Sequence, residues 1–412
     1  MNRVTPGESA LAALLDPVGV AAFATEYWER APLHVARDVP GYFADLFDVA
    51  DIEEALVAGA RDLERFALVR AGAPQAPLDA YVVTNPGIRP RATGKPPTAQ
   101  VDPRKVLALF EAGYTLVIKD AGLLCARLQR WSNRIQHDLC AYAGANVYFT
   151  PPNAQGFEVH HDSHDTLTVQ IEGTKTWRIY EPAIELPLES QPLHRETERP
   201  PLRLLDEIVL GAGDTLYLPR GYAHDARAGD GRALHVTFAL APVRAIDLLH
   251  ATLDIAARDD VDLRRALPFG WHEEPGFAAA FAAQFEARLG ALFGPAATAA
   301  AGAVALDELF AASRSDAGGA FAQLAGLAGL RDDAVLSLNG HVPYVLRAGN
   351  GTVDLLVPGK TLGFPPVCGP ALEQLRSGNV RFDALALPLP DADRRAFVAA
   401  LVREGLVLIH EV

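Results

Sequence analysis

The chain has 412 residues, half of them hydrophobic and 21% charged, a length that predicts two or three cores and a composition that excludes wholesale disorder. A net charge of −14 argues against sustained nucleic-acid binding, which needs clustered Lys and Arg, and favours a basic protein or peptide as partner. The cysteines, Cys125, Cys140 and Cys368, show no CxxC spacing, so neither a disulfide framework nor a zinc ribbon is signalled; they read as three buried thiols in a reducing cytoplasm. The first apolar stretch is too short for a secretory signal and no apolar run is long enough to span a bilayer, so a cytoplasmic protein is expected.

From Ser9 to about Leu56, apolar residues recur at helical spacing, broken at Asp16-Pro17 and at Ala31–Val35, which predicts short helices leading into a first strand. The pattern loosens between Leu68 and Pro103, and a helix is expected over Val106–Ala112. After Leu123 a helix is predicted from Cys125 to Tyr142. From Ala145 to about Ala241 the character changes to short β-type runs: Asn146–Phe149, Thr166–Ile171, Thr176–Tyr180, Thr215–Leu218 and Leu234–Phe238. Many short strands with no helix between them predict a jelly roll.

From Ile246 to about Leu330 the sequence is Ala- and Leu-rich with helical periodicity, and Ala296–Ala305 reads as either helix or linker. The last segment mixes strands at Ala334–Leu338, Val342–Arg347, Val353–Val357 and Val407–His410 with helices near Ala371–Leu375 and over Asp391–Glu404. This α+β pattern fits a winged-helix unit, and its lack of a basic recognition stripe favours protein over DNA contact.

The chemistry gathers in Gly156–Asp165, which contains His160 and Asp162, and in Leu218–His224. Two imidazoles and one carboxylate on one face of an Fe(II) ion leave positions for a bidentate co-substrate and dioxygen. On a strand, residues i and i+2 share a face, so His160 and Asp162 can reach one metal, and the Pro219-Arg220-Gly221 turn can hold His224 toward it. By the same alternation His161 falls off the metal-facing side, and His164 is also expected to lie off it. A zinc site built from these histidines is an alternative, although no thiolate is near. Lys175, in the turn before Trp177, is either an exposed hairpin lysine or an inward cation, and an inward cation implies an anionic guest.

These residues carry a resemblance. Asn146–Phe157 running into His160-x-Asp162, Gln170–Arg178, Gly213–Gly221 with His224, and the early Tyr27–Leu33 and Pro40–Phe43 resemble the Jumonji C ribosomal oxygenases, 2-oxoglutarate-dependent protein hydroxylases. The resemblance covers roughly the first 240 residues. It implies an α+β protein with a double-stranded β-helix (jelly-roll, cupin-type) core over 1–245, a helical dimerisation region over 246–330 and a winged-helix-like domain over 331–412. It also implies Fe(II) on His160, Asp162 and His224, 2-oxoglutarate on Lys175 and Asn146, O2 as oxidant, and Tyr148 on the substrate side. Histidine-directed relatives carry a serine after the His-Val-Thr strand, where this chain has Ala239; one missing hydrogen bond there costs about 0.5–1.5 kcal/mol or signals a different target. The expected activity is hydroxylation of a side chain of a protein, with a ribosomal protein as the expected target. The alternatives are hydroxylation of a natural-product precursor peptide, N-methyl-lysine demethylation, or a non-catalytic cupin-type binding module. A homodimer is expected.

Overall fold

The computed structural model describes residues 9–37, 39–84, 99–191, 201–315, 319–349 and 351–410. In chain order its strands are β1 (Leu33–Val35), β2 (Phe66–Val69), β3 (Val82–Thr84), β4 (Ala99–Val101), β5 (Thr115–Ile118), β6 (Ala141–Thr150), β7 (Asp165–Glu172), β8 (Lys175–Tyr180) and β9 (Leu204–Leu210). They continue with β10 (Thr215–Leu218), β11 (His224–Ala228), β12 (Ala233–Pro242), β13 (Val335–Leu338), β14 (Val345–Ala348), β15 (Val353–Val357), β16 (Lys360–Phe364), β17 (Val380–Arg381) and β18 (Val407–His410). A seven-stranded sheet in the order β1-β10-β7-β12-β6-β5-β2 opposes a three-stranded sheet in the order β11-β8-β9. This is the expected jelly roll, and the site lies between its sheets.

Alternation along the strands decides which face does what. On β12, Leu234, Val236, Phe238 and Leu240 are fully buried in the main core, and on β6 Ala143, Ala145 and Val147 join them. The helix Ala126–Leu139 lays Leu128, Trp131 and Ile135 on that outer face at spacings of three and four, and Leu11, Leu14 and Phe23 from the amino-terminal helices complete the layer. Each such side chain contributes roughly 1.5–3 kcal/mol by leaving water. The opposite face of the same strands carries Asn146 and Tyr148 on β6 and His235 and Thr237 on β12, with Tyr148 opposite His235 and Asn146 opposite Thr237. That face is polar because it lines a cavity.

The helix predicted over Cys125–Tyr142 ends at Leu139. Cys140 adopts a left-handed conformation there and β6 begins at the next residue. Cys140 is therefore exposed, against the expectation of three buried thiols, while Cys125 and Cys368 are buried. The loosely patterned stretch after Leu68 does contain structure, including β3 and β4; its residues 85–98 lie outside the described residues. Ala296–Ala305 belongs to the helix Pro295–Ala312, which follows Phe277–Leu292. Toward the carboxy terminus, β17-β13-β18 and β14-β15-β16 form two small sheets around their own core with the helices Gly369–Ser377 and Asp391–Arg403. Asn133 ties this part to the jelly roll by donating to the carbonyls of Arg314 and His341 at 3.0 and 2.9 Å.

The hairpin between β7 and β8 delivers Lys175, and it turns at Gly173 with φ +69°. A Cβ there would lie 2.1 Å from the Arg232 carbonyl oxygen, whereas at Gly231 it would meet nothing within 4 Å. Gly173→Ala is therefore expected to lose more than about 1 kcal/mol from the left-handed backbone alone, and Gly231→Ala to stay within about 0.5 kcal/mol of wild type, as read from denaturant midpoints.

Candidate metal and co-substrate site

His160 and His224 face each other across an isolated antiparallel bridge, with His160 N–H donating to the His224 carbonyl at 3.1 Å and His224 N–H to the His160 carbonyl at 2.7 Å. The expected strand under His160 and Asp162 is absent. This bridge orders the segment, and His224 opens β11 on the small sheet rather than hanging from a turn. The turn is nonetheless what fixes the register. Gly221, with φ +92° and a Cβ position 2.4 Å from the Ile184 carbonyl, donates its N–H to the Asp162 carbonyl at 3.1 Å. Arg220 beside it is buried, donates its backbone N–H to Asp165 at 2.9 Å and forms ion pairs with Glu29 and Asp165.

The outcome is a cluster in which one ligand atom from each of His160, Asp162 and His224 lies within 4.8 Å of the others, with His224 Nε2 3.8 Å from Asp162 Oδ2. Each imidazole has its Nδ1 on a backbone carbonyl, His160 on Glu158 at 2.9 Å and His224 on Tyr222 at 3.0 Å. A carbonyl only accepts, so both Nδ1 atoms carry the proton and both Nε2 lone pairs are left for a metal. Burial, then the neighbouring His160, push His224 down to about 4, which keeps it neutral and ligating at neutral pH. Two neutral imidazoles and one carboxylate fit a divalent first-row ion with open positions.

These donors stand in the wall of a cavity of about 270 Å³ that also takes in Asn146, Tyr148 and Lys175. Lys175 is 3% exposed, which excludes the exposed hairpin reading. Its ammonium is pushed down to about 7 by burial, and among the described residues no carboxylate lies within ion-pair distance. Tyr148 is half-buried and stacks on His235 with centroids 4.7 Å apart; desolvation, then the Asp162 charge, hold its phenol well above the ordinary range, so it stays a donor. Ala239 is half-buried, one same-face step beyond Thr237, between Gly144 and Thr166. His161 sits off the cluster, against the Gln191 carbonyl at 3.2 Å. His164, expected off the metal-facing side, instead lines the cavity wall, where its even spacing from His160 and Asp162 puts it on their side.

Sequence reasoning missed His235, Trp177 and Gln170. All three are buried and leave a polar atom, His235 Nδ1, Trp177 Nε1 and Gln170 Oε1, without a protein partner. His235 is held well below its ordinary value by burial, then by Lys175. A signal existed in Leu234–Phe238, where His235 and Thr237 alternate with apolar residues on a strand otherwise made for a core.

The fold is of the JmjC/cupin type, and residues 124–248 match the family model described as JmjC domain. Its relatives include Ribosomal oxygenase 1 of Gallus gallus, 31% identical over 268 residues, 62% of this chain and 41% of the relative. They also include the bifunctional lysine-specific demethylase and histidyl-hydroxylase NO66 of Drosophila persimilis, 29% identical over 288 residues, 67% of this chain and 39% of the relative. The chain thus spans about two fifths of the length of these curated relatives. The fold matches that of YcfD, a ribosomal oxygenase from Escherichia coli solved with cobalt and 2-oxoglutarate, at a TM-score of 0.54 and 17% identity over 95% of this chain and 98% of that one.

The unpaired lysine gives a signed pH prediction. Its folded value of about 7 lies below the ordinary 10.5, so the charged form opposes folding. That cost is complete below pH 7 and fades as pH rises toward 10.5. Lys175→Met is expected to stabilise the ligand-free protein at pH 6 by on the order of a few kcal/mol, with the gain shrinking toward pH 10, in urea unfolding at both pH values.

Proposed function

We propose that the protein is an Fe(II)- and 2-oxoglutarate-dependent oxygenase that hydroxylates a side chain of a protein, with a ribosomal protein as the first candidate. The observation that carries this reading is the buried, carboxylate-free Lys175 sharing one cavity with three converging metal donors. His160, Asp162 and His224 hold the iron, Lys175 takes the distal carboxylate of 2-oxoglutarate, and Asn146 contacts the same co-substrate. When bound, the iron supplies the oxidising chemistry by which 2-oxoglutarate and O2 become succinate and CO2 while one oxygen atom enters a C–H bond.

What this chain does is position and shield. Lys175, Thr168 and Thr237 form a polar floor for a dicarboxylate, and the buried strands keep bulk water from it. Tyr148 and the row at Ala239 face the substrate side chain. The absence of a hydroxyl at Ala239 supports a target held differently from that of the histidine-directed relatives. The name of the NO66 relative also supports N-methyl-lysine demethylation as a second reading, for which formaldehyde release is the distinguishing product. The complete donor set argues against a non-catalytic module.

The same proposal divides the chain into a JmjC domain over 1–245, a helical region over 246–330 and a winged-helix-like domain over 331–412. It makes the helical region a homodimer contact, because no described residue of the helix Phe277–Leu292 is buried and Phe269, Trp271 and Phe281 are exposed. A chain of net charge −14 suits a basic partner. Three thiols without a disulfide suit a cytoplasmic protein, and no helix among the described residues is long and apolar enough to cross a membrane.

Comparing the proteomes of a host strain and its deletion strain by mass spectrometry is expected to reveal a peptide that gains one oxygen atom only when the gene is present. Complementation with His224→Ala is expected to leave that peptide unmodified, and a modification that persists with this variant contradicts the assignment.

A further inference from the structure

Asn146 is the one amide in the middle row of the cavity face, and its orientation is set from outside the cavity. Asp120, just after β5, is a non-glycine residue in the left-handed region, with φ 45° and ψ 45°. That conformation brings its backbone N–H to Asn146 Oδ1 at 3.0 Å. A backbone N–H only donates, so the atom it meets is the amide oxygen, and the Asn146 NH2 is committed to the other side. That side is the cavity, whose wall includes Asn146.

We propose that Asp120 is a positioning residue: its left-handed backbone locks Asn146 as a hydrogen-bond donor toward an anionic guest of the metal cavity. The inference rests on the reading of that cavity as a 2-oxoglutarate site. The carboxylate of Asp120 is dispensable to it. That side chain is half exposed and lies 3.6 Å from the Arg65 guanidinium, a surface contact of little energetic consequence. What matters is tolerance of the left-handed region, which Asp, Asn and Gly share and β-branched residues lack. Substitutions at this position therefore separate backbone from charge.

Calorimetric titration of 2-oxoglutarate into Mn(II)-loaded protein reads the effect without turnover. Asp120→Asn and Asp120→Gly are expected to bind within about twofold of wild type, and Asp120→Val about tenfold more weakly, a difference of about 1.4 kcal/mol. Asn146→Leu is expected to lose a similar factor, and the Asp120→Val/Asn146→Leu pair to be no weaker than Asn146→Leu alone, because both act through one amide. Wild-type affinity in Asp120→Val overturns the inference. So does equal loss in the Asn and Gly variants, which would assign the effect to the carboxylate.

A second readout needs no guest. The side-chain NH2 resonance of Asn146, assigned by its loss in Asn146→Leu, is expected at one position in wild type, Asp120→Asn and Asp120→Gly and displaced in Asp120→Val. If wild type takes up no keto acid, the co-substrate reading fails, yet an undisplaced resonance in a folded Asp120→Val still rejects the positioning role on its own.

Discussion

The site depends on one pair of backbone hydrogen bonds, those exchanged between His160 and His224. They join a segment without regular structure to the first residue of β11, and thereby bring two imidazoles to a ring separation of 4.6 Å. Neither bond is strong by itself, about 0.5–1.5 kcal/mol net. Their precision comes from the surroundings. Gly221 ties the following turn to Asp162, and Arg220 is buried between Glu29 from the amino-terminal layer and Asp165 at the start of β7. Three separated stretches of sequence thus meet around three donor atoms. Removing any one loosens the others.

The cavity behind those donors departs from what stability alone would select. A core of this kind gains most from apolar side chains, yet its inner face holds a lysine without a carboxylate, a buried histidine and several polar atoms without protein partners. Such groups cost free energy in an empty protein and are offset when an anion or ordered water accepts their hydrogen bonds. The outer face of the same strands, packed with Leu, Val and Phe, carries the stability that this polar face gives up. One sheet therefore does both jobs, and the period-two alternation of β6 and β12 keeps them apart.

Much of this was legible in the sequence where local pattern and tertiary environment agree. Thr215–Leu218, Val353–Val357 and Val407–His410 are strands over the residues their β-branched, apolar runs mark out. The three metal donors and Lys175 were found through residue type and motif. Other parts were hidden for physical reasons. β2 and β5 are short and uniformly buried, and such runs carry no alternation to identify them. His164 was set aside although its even spacing from His160 and Asp162 already put it on their side. Cys140 was assigned to the interior by residue type, whereas the left-handed residue between a helix and a strand sits at the surface. His235 was missed because its neighbours read as core, which they are, on the other face.

The central claim is that three side chains hold one ferrous ion with adjacent positions open to an α-keto acid. Anaerobic addition of Fe(II), followed by 2-oxoglutarate, with visible absorption recorded at each step, tests it most directly. The account predicts uptake of one iron per chain, and a metal-to-ligand charge-transfer band that arises only when the keto acid is added and saturates with it. Failure to retain iron, or a titration with 2-oxoglutarate that leaves the iron spectrum unchanged, would contradict it.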